Sequence, residues 1–126
     1  VNVALWIIAG LLAVAFLGGG AVKLIRPKEK LVASGIRFAE DFSVGAVKAI
    51  GALEVLAAFG LILPAALDIA PVLVPLAAVG LVLLMIGAII VHLRRREAYA
   101  IVVNLFLLAS AALVAWGRFG PHSFSD

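Results

Sequence analysis

The chain has no cysteine. That excludes a disulfide, a thiolate metal site and a cysteine electron relay, so any redox role needs a bound cofactor or a partner. Charge is scarce as well, at 13% of the 126 residues, against about 25% in ordinary soluble domains. The motifs of soluble enzymes are missing: there is no phosphate-cradling glycine loop, no nucleophile elbow and no pair of histidines at metal-ligand spacing. No metal is expected.

What fills the chain is apolar residues, 66% of it, where roughly 45 to 50% is usual. A soluble protein this small cannot hide that much apolar surface. Four stretches are long enough to cross a hydrocarbon core about 30 Å thick, which takes roughly 20 helical residues. Val1 to Val22, Ile69 to Val91 and Ala98 to Gly117 carry no charge, and Ala49 to Leu67 carries only Glu54. These runs predict an all-α integral membrane four-helix bundle, one transmembrane domain with spans at about 3–24, 45–66, 71–93 and 98–118. Ala13, Val14 and Ala15 resemble a signal-peptidase site, but no cation precedes the first run and it continues to Lys23, so it reads as a span.

Lys23, Arg26, Lys28, Lys30, Arg37, Lys48, Arg94, Arg95 and Arg96, nine of the ten basic residues, fall on one side of four alternating spans, and only Arg118 falls opposite. The positive-inside rule then predicts a multi-pass membrane protein with both termini non-cytoplasmic. His92 and His122 come to lie on opposite sides. The basic residues lack aromatic interleaving and sit against the spans, so no nucleic acid is expected. Membrane lipids with anionic headgroups are the expected partners, with Arg94, Arg95 and Arg96 as topology signal and headgroup anchor. Between the first two spans, Pro27 to Ser43 is too polar to cross. Leu31, Gly35, Phe38 and Phe42 share a helical face, which predicts a short cytoplasmic amphipathic helix.

Small residues mark the faces on which membrane helices meet. Gly51, Glu54 and Ala58 share one such face, so the carboxylate points at other helices. Gly80, Leu84, Ala88 and His92 form a second face, and Asn104, Ala111, Ala115 and Arg118 a third. At about 1.5 Å per residue, Glu54 and Asn104 lie at similar depth, with His92 and Lys23 nearer the interface. Depth and facing allow Lys23, Glu54, His92 and Asn104 to form one polar cluster opening toward the cytoplasm. Each has a structural alternative: Glu54 and Asn104 as interhelical tethers, His92 and Lys23 as headgroup contacts. Trp6 and Trp116 read as interfacial anchors, and Met85 as core filler. Gly10, Gly18, Gly80 and Gly87 exceed what one bundle needs, which predicts a homo-oligomer or other membrane subunits.

The segment "GGGAVKL" before Pro27, then "IGALEVLAAFGLILPA", "PLAAVGLVLLMIGAIIVHLRRRE" and Asn104, in that order, resemble the DoxX-like family of small bacterial four-helix membrane proteins. The resemblance covers about Val3 to Arg118. It is most specific in Gly51, Glu54, Leu61 and Pro64 joined to Met85, His92 and Glu97. It implies the four-helix fold, a location in the bacterial inner membrane, and by association quinone-linked oxidation of reduced sulfur compounds or membership of a membrane oxidoreductase assembly. The expected role is an accessory subunit or partner of a larger membrane redox or stress-response complex. The rivals are a proton-coupled or small-molecule transporter using Glu54, and a quinone- or lipid-linked membrane enzyme.

Overall fold

The computed structural model describes residues 2–122. Four long helices carry the fold: α1 (Asn2–Ile25), α3 (Val44–Ala66), α4 (Leu73–Arg95) and α5 (Ala98–Phe119). Each is long and apolar enough to cross a membrane. The short α2 (Lys28–Ala33) and a 3-10 helix (Arg37–Asp41) lie between α1 and α3. The Pro27 to Ser43 segment is thus two short pieces. Gly35 breaks it, with φ of 108° in a region that only glycine enters freely.

The ends of these helices follow local chemistry. Ser43 caps α3 by accepting from the Ala46 N–H at 3.1 Å. At the other end of α3, Asp68 turns left-handed (φ 54°) and the Ile69 N–H bonds back to Pro64 O at 2.9 Å, a Schellman stop. Lys48 Nζ donates to Leu24 O at 2.7 Å, placing a cation on the otherwise unpaired carbonyls at the end of α1.

The helices form a ring in which α1 packs along α3, α3 against α4, α4 along α5, and α5 returns to α1. Two glycine contacts set this geometry. A Cβ added to Gly20 would lie 2.6 Å from Gly51 O, and one on Gly51 would lie 2.8 Å from Gly20 O, so α1 and α3 touch backbone to backbone there. Near the loop between α3 and α4, a Cβ on Gly60 would lie 2.9 Å from the Ala77 Cβ.

The main core lies in the half of the bundle toward that loop, around Leu12, Phe16, Leu61, Ala78, Leu81, Ala111 and Val114. A second small core of Leu31, Ala39 and Val47 fastens the α2 and 3-10 segment against the opposite end. Large apolar side chains cover the outside: Val14 is 73% exposed, Leu56 67% and Phe106 72%. Such an apolar outer surface suits a lipid solvent.

The loop-side end of the bundle is closed by Arg118, only 4% exposed. Its guanidinium donates to Asn2 Oδ1 at 2.6 Å and to His122 O at 3.0 Å, and lies 6.0 Å from the Trp6 ring centre. Trp6 therefore also supports a buried cation.

Candidate functional site

The half of the bundle opposite the main core encloses a cavity of about 740 Å³. Its walls come from all four long helices, and Phe38 and Phe42 of the surface segment line it as well. Leu53 of α3 and Leu83 of α4 line it while 52% and 64% exposed, so it opens to the outside between these two helices. Most of the lining is apolar, with Lys23, Glu54, His92 and Asn104 as its polar members.

Helix geometry brings Lys23 to Glu54. Each lies three residues beyond the Gly20–Gly51 contact on its own helix. Cα–Cβ bonds tilt toward a helix N-terminus, so in this antiparallel pair the two side chains lean toward each other. Lys23 Nζ donates to Glu54 Oε1, forming an ion pair whose carboxylate is buried and whose lysine is partly so. Gly19 leaves room beside the second oxygen, since a Cβ there would meet Glu54 Oε2 at 3.4 Å. Lys23 Nζ also lies 5.5 Å from the Phe38 ring centre, within cation–π range.

His92 and Asn104 reach the same cavity without touching that pair. His92 Nδ1 bonds Glu97 Oε1 at 2.8 Å, and its ring meets Phe38 edge-on at 6.1 Å. The bond depends on the turn that ends α4. Arg96 is left-handed (φ 57°), the Glu97 N–H returns to His92 O at 3.0 Å, and Glu97 folds back over the histidine five residues before it. The His92 hydrogen bond, and after it the Arg95 charge, hold the Glu97 carboxyl below the usual carboxylate range. Asn104 Nδ2 donates to Ala100 O of its own helix at 2.8 Å, so the similar depths of Asn104 and Glu54 do not become a direct bond.

The three arginines divide. Arg94 and Arg96 are exposed. Arg95 turns toward the surface segment, donating to Asp41 Oδ2 at 2.6 Å and Glu40 Oε1 at 2.9 Å, with its Nε 3.3 Å from Glu97 Oε1. It latches the 3-10 helix, and Phe38 with it, to the end of α4. Reading the arginines as a headgroup cluster missed this role for Arg95, and Glu97 and Phe38, read as a family-pattern position and a helix-face residue, were not placed at the site. The acidic pair Glu40–Asp41, opposite in charge to the arginine run, was the signal available for it. Among the described residues no group of three or more His, Cys, Asp or Glu side chains is arranged to hold a metal ion.

Four spanning helices around a mostly apolar cavity with one polar quarter define a multi-pass helical membrane protein with an internal pocket. The sequence model of the DoxX-like family matches residues 7–114, and the chain belongs to that family. No curated protein and no solved structure matches it.

Proposed function

We propose that this chain is an inner-membrane subunit that holds a lipophilic small molecule of the quinone or lipid class and serves as accessory partner to a larger redox complex. The observation that carries this reading is the cavity. Its volume of about 740 Å³ lies in the range of small-molecule sites, which are mostly apolar with a few convergent polar groups. Its mouth between Leu53 and Leu83 suits a ligand arriving from the bilayer. The packed half beyond it favours binding over passage, which is why a transporter is the weaker reading. The absence of cysteine places any electron transfer on the ligand and the partner.

The orientation belongs to the same proposal. Nine of ten basic residues lie at the cavity end, so that end faces the cytoplasm and the Arg118 end faces away. Gly10 and Gly18, where an added Cβ would meet nothing within 4 Å, offer α1 to a second membrane helix, from another copy or from the partner complex.

Purification from native membranes in mild detergent, followed by identification of bound lipids and proteins, tests the reading. A stoichiometric lipophile together with a membrane oxidoreductase subunit is expected. A chain that carries neither, with its cavity still intact, would refute it.

A further inference from the structure

The 3-10 segment is at once a wall of the cavity and a piece of the outer surface. Phe38 and Phe42 line the cavity, while Arg37, Glu40 and Asp41 beside them are exposed. One turn of chain therefore separates the polar quarter from water. Phe38 is its inner face: the ring centre lies 5.5 Å from Lys23 Nζ on α1 and 6.1 Å from the His92 ring centre on α4, and Phe42 backs it edge-on at 5.8 Å.

The two sides of this turn are fastened differently. Toward α3 it is held by apolar packing, with Ala39 fully buried in the small core beside Leu31 and Val47. Toward α4 it is held by the Phe38–His92 ring contact and by Arg95, which donates to Asp41 Oδ2 at 2.6 Å and Glu40 Oε1 at 2.9 Å. Those two carboxylates are 54% and 46% exposed, so water and salt weaken their hold. The turn is flanked by backbone suited to bending, with Gly35 at φ 108° before it and extended Phe42 leading into the Ser43 cap after it.

We infer that this turn is a hinged cover, pivoting on the Ala39 packing and latched to α4 by Arg95, which opens the polar quarter of the cavity to water when the latch parts. The cavity then has two entrances of different chemistry. The gap between Leu53 and Leu83 is apolar, and the one under Phe38 leads directly to Lys23 and His92. A lipophile uses the first, and a water-soluble reactant meets its polar head through the second. The cover is a property of the chain alone and holds whatever molecule the cavity takes.

Because the chain has no cysteine, one introduced thiol reports access. Ala88→Cys places it in the cavity wall on α4, one turn before His92, and Ala33→Cys places it on the exposed surface of α2 as a reference. The full chain in lipid nanodiscs is treated with a charged, water-soluble thiosulfonate, which does not cross the acyl chains. Relative to position 33, position 88 is expected to react slowly behind the native cover. Glu40→Gln combined with Asp41→Asn should speed position 88 about fivefold, and Phe38→Ala should speed it as well, with melting temperature and the rate at position 33 unchanged. Raising salt from about 0.05 to about 0.5 M should speed position 88 behind the native cover and not in the latch variant.

Equal rates at positions 88 and 33 in the native chain would mean that the cavity stands open, and no reaction at 88 even with Phe38→Ala would mean that it has no aqueous route. A rate at 88 that neither the latch variant nor salt moves would mean that Arg95 holds nothing shut. Each of these overturns the inference, as does a faster rate that comes only with a lost melting temperature. The salt response of the native cover decides the matter if the latch variant does not fold. Lipophile binding is read separately by co-purification, so a failed cover leaves that reading standing.

Discussion

Lys23 Nζ hydrogen-bonds Glu54 Oε1 three residues past the point where the backbones of Gly20 and Gly51 touch. The ion pair and the glycine contact are thus one feature. Bringing α1 and α3 to backbone contact sets the two side chains close enough to pair away from water, in a place where a lone charge would be expensive.

Gly20→Ala is therefore expected to separate the two helices, since its Cβ would fall 2.6 Å from a carbonyl oxygen that cannot rotate away. Overpacking of this kind costs about 1 to 3 kcal/mol. Gly10→Ala and Gly18→Ala meet nothing within 4 Å and should hold or raise stability. Thermal unfolding of the three variants in one detergent compares them. Equal loss in all three would mean that the Gly20 contact does not hold α1 to α3.

The two halves of the ion pair should not be equivalent. Lys23→Met leaves a carboxylate buried without its cation, a loss of about 3 to 5 kcal/mol. Glu54→Gln keeps an acceptor for the lysine, whose flexible stem near the end of α1 can also turn toward water. The double variant should recover part of the first loss. A double-mutant cycle on unfolding free energy reads this, and additive losses would exclude a coupled pair.

Glu97 gives the fold an acid-sensitive contact. Its carboxyl, ordinarily at about 4.5, is held lower in the folded chain by His92 and Arg95. A group whose pKa falls on folding stabilises the fold while ionised. Its contribution is complete above about pH 4.5 and disappears as the pH drops through the lower, folded-state value. Between pH 6 and 3, roughly spanning that window, the wild type should lose melting temperature more steeply than Glu97→Gln. Parallel curves would show that the His92–Glu97 bond adds nothing to stability.

The helices were readable because apolar runs of spanning length need no knowledge of neighbours. The Gly51–Glu54–Ala58 face was readable for a related reason: small residues at helical spacing mark close approach whichever helix approaches. Partners were harder. Depth along the axis placed Glu54 level with Asn104, but a lysine's reach and the tilt of Cβ toward the N-terminus joined Glu54 to Lys23 instead. The His92–Glu97 bond was hidden because its left-handed turn falls on Arg96, where glycine or asparagine is the usual signal. The break at Gly35 left no trace in the apolar spacing of Leu31, Phe38 and Phe42, since periodicity does not report a positive φ.

Gly80 and Gly87 line the cavity on α4, and a Cβ added to either would meet nothing within 4 Å. Neither is held by packing, and each costs a helix interior roughly 0.5 to 1 kcal/mol relative to alanine. Glycine at these two positions beside an apolar cavity is explained by the room it leaves. Gly80→Leu should therefore fill the cavity from the α4 side, keep or raise the melting temperature, and abolish binding of the lipophile that co-purifies with the wild type. Gly80→Ala should weaken binding less, and Gly87→Leu, nearer the basic end, should act like Gly80→Leu. Native mass spectrometry of the variants from the same membranes measures both occupancy and fold. Full occupancy in a folded Gly80→Leu protein would place the bound molecule somewhere other than this cavity.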